Sequence, residues 1–164
     1  MATTVNGLQI KISIIGTVAG ADGARVQIDE KITYNFSDGT AANQVGYVFQ
    51  DLTRPLNATT EDLNLDALKD FGGDTITANN VKLMYFRNLD LDTGDSFKLG
   101  GAPSNAFINW VDNANDKVIV GPGGLFLLIS PTDGYGITAS TGDLLRVEAV
   151  DNSTYRLMLA GDDA

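Results

Sequence analysis

Residues 121–161 read GPGGLFLLISPTDGYGITASTGDLLRVEAVDNSTYRLMLAG and contain four short apolar or alternating runs. The runs occupy residues 125–129, 135–138, 144–150 and 154–160, and Gly, Pro, Asn, Asp or Ser residues separate them. Turn-forming residues at regular intervals between β-prone runs are typical of successive antiparallel strands. The segment therefore predicts an antiparallel β scaffold.

The rest of the chain continues this pattern. Further β-prone runs occupy residues 8–15, 24–36, 45–52, 81–87, 96–99 and 116–120. In the first run, Leu8, Ile10, Ile12 and Ile14 alternate with polar residues, as expected for a strand with one buried face. Many short strands separated by frequent turns are typical of a β-sandwich or a β-barrel.

The segment 60–71 allows two interpretations. Residues 60–65 could cap a helix with acidic residues in its first turn, or they could form a short alternating strand. We favour the strand, followed by one helical turn that ends at Gly72, because β-prone runs surround it. The overall prediction is a single all-β domain over residues 1–164, an antiparallel, jelly-roll-like β-sandwich. We expect about ten strands and at most one short helical turn near residues 66–71.

Composition narrows the possible functions. The chain of 164 residues has 11 Lys and Arg against 21 Asp and Glu, a formal net charge of −10, and neither Cys nor His. Thiolate and imidazole chemistry are therefore excluded, which favours a protein that is not an enzyme and needs no cofactor. An acidic chain is repelled by phosphate backbones, and no apolar run approaches the ~20 residues of a membrane span. We expect neither a nucleic-acid nor a membrane partner.

An ordered series of short motifs covers roughly residues 60–161. It consists of VKLMYFRNL at 81–89, FKLGG at 97–101, PGGLFLL at 122–128, DGYGI at 133–137, GDLLRV at 142–147 and TYRLMLAG at 154–161. In this order the series resembles small virion-associated β proteins of tailed bacteriophages, the minor structural proteins and capsid decoration (cement) proteins.

The resemblance implies a function and a location. Such proteins coat or join parts of the virus particle, commonly as homotrimers, with the major capsid protein or another virion protein as partner. The location implied is the capsid surface, after synthesis in the cytoplasm of the bacterial host. The resemblance supplies no contact residues. From the sequence itself, the strand at 8–15 and the turn-rich stretch at 39–57 are candidate contact segments.

Four oxygen-bearing side chains precede or flank Gly94 and form a candidate calcium loop. They are Asn88, Asp90, Asp92 and Asp95. The spacing does not fit an EF-hand, which requires Gly at the sixth position and Glu at the twelfth. An acidic hairpin turn, in which Asp and Gly are present for turn geometry, is the preferred interpretation.

Three aromatic residues are candidates for a carbohydrate-binding or host-recognition module, which is the alternative function. They are Trp110, Tyr85 and Tyr135, since amphipathic rings favour recognition sites. Trp110 precedes the polar loop 112–116, and a sugar or calcium contact there would suit such a module. The preferred interpretation is that Trp110 covers one end of the sandwich core.

A glycosidase would need two carboxylates about 5–10 Å apart, one of them with a raised pKa. Glu30 and Glu148 are the candidates, because each lies within a β-prone run rather than in a turn. Arg146 has the same parity as Glu148, which indicates an ordinary solvated strand face. We therefore assign no catalytic residue.

Overall fold

The computed structural model describes residues 4–19, 21, 25–57, 59–150 and 152–163, and in them it contains strands and turns but no helix. The strands are β1 (Leu8–Ala19), β2 (Arg25–Asp38), β3 (Gln44–Val45), β4 (Tyr47–Leu56), β5 (Thr60–Asn64), β6 (Asn80–Val81), β7 (Leu83–Asn88), β8 (Phe97–Leu99), β9 (Val118–Val120), β10 (Leu125–Ile129), β11 (Tyr135–Gly136), β12 (Leu144–Ala149) and β13 (Ser153–Gly161). The all-β prediction is confirmed.

The uncertain segment is a strand, as we favoured. Residues 60–64 form β5, and the chain then turns, with the Ala67 amide donating a hydrogen bond to the Asn64 carbonyl over 3.2 Å. The helical turn that was allowed near residues 66–71 does not form, and hydrogen-bonded turns and an isolated bridge between Lys69 and Thr75 take its place. Residue 24, where the second run was expected to begin, lies outside the described residues.

Two four-stranded antiparallel sheets form the body, in the orders β10-β7-β13-β4 and β5-β12-β8-β9. The chain passes from one sheet to the other between successive body strands, except at the β8–β9 hairpin. From β4 onwards the order of each sheet is that of a jelly roll, which agrees with the predicted sandwich.

The body has one core between its sheets. In β12 and β13 alternate residues are buried, so that Leu145, Val147, Leu157 and Leu159 fill the space between the two layers. At its centre Phe86, Phe97 and Tyr155 form an aromatic cluster with ring centroids 5.0–5.4 Å apart. The face of β10-β7-β13-β4 that points away from this core is called the outer face below.

The long hairpin β1–β2 stands on the outer face and forms a third, partial layer. Its base packs there through Leu8, Ile10, Tyr34 and Phe36, in a second core with buried Leu83 and Ala160. Among the strands that the structure describes, β1 pairs with β2 alone, and β2 pairs otherwise only with the two-residue β3. We call residues 12–19 and 25–32, beyond the packed base, the arm.

A buried ion pair lies close to the base of the arm. The side chain of Lys82, in the break between β6 and β7, is 0% exposed and lies 2.7 Å from Asp162 Oδ1. Its Nζ also donates to the carbonyl oxygens of Ala41, at 2.8 Å, and Gln44, at 3.0 Å. The turn that leads from β2 to β3 is thereby tied to the end of β13.

Candidate functional site

The register of β1 and β2 gives the arm one apolar face. Directly opposed residues of an antiparallel pair share a face, and the opposed pairs on this one are Ile12 with Ile32, Ile14 with Glu30, Gly16 with Ile28 and Val18 with Val26. The other face is mostly polar and carries Ser13, Thr17, Gln27, Asp29 and Lys31, with Ile15 as its large apolar exception. Glu30 is the only charged residue on the apolar face.

This apolar face is in contact with water. Ile14, Val18 and Val26 are 56%, 58% and 63% exposed, whereas the same face at the packed base is buried or half-buried. A two-stranded ribbon is marginally stable alone in water, and a contiguous exposed apolar patch usually marks an interaction site. The arm face is therefore the candidate functional site of the molecule.

The outer face of the sheet has three rows of residues across its strands, and the arm base covers only part of them. The row under the base consists of Ile129, Leu83, Ala160 and Val48. The middle row consists of Leu127, Tyr85, Met158 and Gln50. The third row consists of Leu125, Arg87 and Arg156, and Arg156 Nε donates to the carbonyl oxygen of the exposed Leu52 over 3.0 Å.

A groove of about 420 Å³ separates the arm from the uncovered part of the sheet. It is lined by residues 9–13 of β1 and by Tyr85, Leu125, Leu127 and Met158. The arm thus leaves the sheet beyond the middle row, and Leu125 of the third row is 57% exposed. The arm face is thus apolar and the third row combines the apolar Leu125 with two arginines, and the described chain covers neither surface fully.

The three aromatic candidates lie on two sides of one sheet. Tyr85 is on the outer face, in register with Leu127. Trp110 packs on the inner side, 5.7 Å from Phe126 between ring centroids, and its Nε1 donates to the Phe107 carbonyl over 2.9 Å. This is the core-end position that we preferred for the tryptophan.

Tyr135 lies near Trp110 and apart from Tyr85. It packs against the main core, and the Asn109 side chain donates a hydrogen bond to the carbonyl of Gly136, which joins the two loops. Trp110 and Tyr135 are both half-buried. The structure therefore brings these two aromatic residues into adjoining loops but excludes a single stacking platform made of all three.

The calcium candidates are engaged in turn contacts. Asn88 is fully buried, its Nδ2 donates to the carbonyl oxygens of Asp95 and Gly121, and its Oδ1 accepts from the Asp90 amide. Asp90 Oδ2 accepts the Thr154 amide over 2.6 Å. Within the described part of the chain, no three acidic side chains are grouped as a metal site would need. These contacts support the turn interpretation that we preferred, and calcium binding stays the untested alternative.

The two carboxylates considered for glycoside hydrolysis lie in different elements. Glu30 is on the arm, opposite Ile14, whereas Glu148 is on β12 in the other sheet of the body. Lys117 and Lys98 donate hydrogen bonds to Glu148 at 2.7 and 2.8 Å and lower its pKa to about 2. A general acid near neutral pH needs a raised pKa, so the surroundings of Glu148 suit a surface ion pair.

Another ionic network was not anticipated from the sequence. Glu61 accepts hydrogen bonds from Arg54 and from the Tyr155 hydroxyl of the aromatic cluster. Burial raises the pKa of Glu61, but the hydrogen bonds from Arg54 and Tyr155 outweigh it and lower the pKa overall. Arg54 lies 7 positions before Glu61 but on a different strand, and Tyr155 lies 94 positions after it. The sequence signal was limited to Glu61 as an acidic residue within the predicted strand 60–65.

The arm was anticipated only in part. The alternation at residues 8–15 marked a candidate contact segment, but the exposed face also includes Val18, Val26 and Ile28, which that range does not contain. The usable sequence signal was the run at residues 24–36, which is longer than the other predicted runs. In the structure β1 and β2 have 12 and 14 residues and exceed every other described strand. Arg87 and Arg156 gave no signal, since their adjacency depends on the pairing of β7 with β13.

Comparisons with known proteins assign neither a family nor a function to this chain. No family model, no curated protein and no solved structure matches the chain. The described residues also include no helix long and apolar enough to cross a membrane.

Proposed function

We propose that this chain is a non-enzymatic structural protein of a tailed-phage virion, a capsid decoration (cement) protein that stabilises the head lattice. The observation that carries the proposal is an exposed apolar arm on a two-sheet body. Jelly rolls occur in capsid proteins and in lectins, and a fold does not fix a function. The support therefore comes from the arm, together with the resemblance of residues 60–161 to virion β proteins.

The physical properties of the chain suit assembly on a repeating surface. A net charge of −10 keeps the protein soluble before it docks. Docking energy would come from apolar anchors such as Ile14 and Val26, which lose their contact with water on binding. Repeated weak contacts across a lattice add up through avidity. The major capsid protein is the proposed partner, with copies arranged as trimers at the capsid surface.

Particle binding tests this proposal directly. Phage heads depleted of the protein are mixed with purified chain, sedimented, and examined by immunogold electron microscopy and by thermal release of DNA. We expect saturable labelling of the head and release at a higher temperature. Labelling confined to the tail, or no binding to any particle, would refute the decoration role.

A carbohydrate-binding or host-recognition module is the second candidate. The observation that favours it is the pair of half-buried aromatic residues, Trp110 and Tyr135, in adjoining loops. Because Trp110 is the only tryptophan, a sugar that stacks there would change the intrinsic fluorescence. A fluorescence response to one glycan of a broad panel, lost in Tyr135→Ala, would support the module. A silent panel would exclude it.

A further inference from the structure

We propose that the arm of one copy docks on the third row of the outer face of a second copy, so that arm exchange joins copies of this chain. The inference does not depend on the virion role or on the trimer proposed with it, because exchange in both directions joins copies in pairs. Each copy would give one arm and receive another, as a closed symmetric assembly requires.

Both surfaces carry apolar side chains that the described chain leaves exposed or half-buried. On the arm, Ile14, Ile28 and Val18 continue the same face whose base already packs on this sheet. On the receiving sheet, Leu125 of the third row and Tyr85 of the adjoining middle row continue the same outer face beyond the packed base. The intramolecular contact of the base therefore shows the geometry of ribbon on sheet that the exchange would extend.

The area favours exchange over docking in one direction. At about 3.3 Å per residue and two strands across, the arm face measures on the order of 260 Å². One arm docked over its whole face would bury at most about 520 Å² in total, which is the size of an incidental contact. Exchange in both directions raises the total to about 1,000 Å², where specific interfaces begin. A second copy of this chain offers both an arm and a receiving sheet.

The charges are also complementary. Arg87 and Arg156 lie directly opposite each other in the third row, and like charges in direct register are destabilising. On the arm, Glu30 is the one charge of the apolar face, and among the described residues neither Glu30 nor Arg87 has an ion-pair partner. A docked arm would place this carboxylate against the two guanidinium groups.

Within one copy, the arm does not cover the third row of its own sheet. If the arm lay along its own sheet, Ile14 would be covered by the third row, but Ile14 is 56% exposed and the groove of about 420 Å³ opens beside β1. The arm thus departs from its own sheet and leaves the third row accessible to a neighbour.

A matched pair of variants tests the apolar contact. Ile14 and Ile15 are adjacent and 56% and 66% exposed, but they lie on opposite faces of the arm. Wild-type chain is expected to be oligomeric by light scattering and sedimentation. Ile14→Lys should raise the dissociation constant at least about tenfold, and Ile15→Lys should leave it unchanged. A monomeric wild type, or equal effects of both variants, overturns the proposal.

Charge reversal tests whether the contact is between copies. Glu30→Arg alone should weaken association, and so should the sheet variant that combines Arg87→Glu and Arg156→Glu. When the two variant proteins are mixed, each arm meets a sheet of opposite charge, and native mass spectrometry should detect mixed oligomers. A mixture that stays monomeric overturns the proposal, because an arm that closes on its own sheet, or on another protein, gains nothing from mixing.

The outcomes separate this inference from the proposed function. If Ile14→Lys is monomeric but still binds phage heads, arm exchange holds and the lattice contact lies elsewhere. If wild-type chain is oligomeric through the arm but binds no particle, arm exchange holds and the decoration role fails. If the variant stays oligomeric and loses only particle binding, the capsid and not a second copy receives the arm, and exchange is refuted.

Discussion

Replacement of Lys82 by Met should destabilise the protein more than any surface substitution. The Lys82 side chain is fully buried, with Asp162 Oδ1 at 2.7 Å and the carbonyl oxygens of Ala41 and Gln44 at 2.8 and 3.0 Å. Met keeps the volume of the chain but donates no hydrogen bond. The substitution therefore leaves a nearly buried carboxylate without its counter-charge and two carbonyl oxygens without this donor.

The expected magnitude follows from these contacts. Removal of one partner of a buried ion pair costs about 3–5 kcal/mol, because the remaining charge stays buried without compensation. For a chain of 164 residues, this loss corresponds to a fall in Tm of roughly 6–20 °C. Asn80 Nδ2 also donates to the other oxygen of Asp162, at 2.7 Å, so the carboxylate keeps one neutral hydrogen bond and the cost stays within this range.

Urea unfolding followed by the fluorescence of Trp110 measures the loss, since that ring packs against the core. A double-mutant cycle adds Asp162→Asn and the combined variant. Because the combined variant contains no unpaired charge, its destabilisation should be at least about 1 kcal/mol smaller than the sum of the two single losses. A loss below about 1 kcal/mol for Lys82→Met, or strict additivity, would refute the view that this pair holds the turn against β13.

Three other predictions concern the body. The two lysines hold the pKa of Glu148 at about 2, so this carboxylate stabilises the fold above its unfolded pKa and the contribution is lost as pH falls from about 4.5 to 2. Glu148→Gln should remove less than about 1 kcal/mol of that acid dependence in urea titrations at several pH values, since the pair is partly solvated. Gly161→Ala should lower Tm strongly because a Cβ there would overlap the carbonyl oxygen of Asn80. Gly121→Ala should not lower Tm, because the space around Gly121 is open. Calcium should leave Tm unchanged because Asn88 and Asp90 already accept backbone hydrogen bonds, and a rise abolished by chelator would instead establish the site.

The sequence alone determined the type and position of most strands. Period-two alternation is a local property, and Leu145, Val147 and Ala149 in β12 are buried as the pattern at 144–150 predicts. Turn residues are also local signals, so that the boundaries of β10 at residues 125–129 agree with the predicted run. Composition by itself excludes imidazole and thiolate chemistry, because the chain contains neither His nor Cys.

Only the tertiary structure decided which of these strands has an exposed face that could bind a partner. A lysine within a β-prone run is expected to be exposed. Lys82 is buried instead, because Asp162, 80 positions away in the sequence, supplies its counter-charge. The adjacency of Arg87 and Arg156 and the exposure of Ile14 depend on which strands pair and where the hairpin leaves the sheet. Periodicity is set by neighbours along the chain, whereas register, burial of charge and the cover of an apolar face are set by residues that meet only after folding.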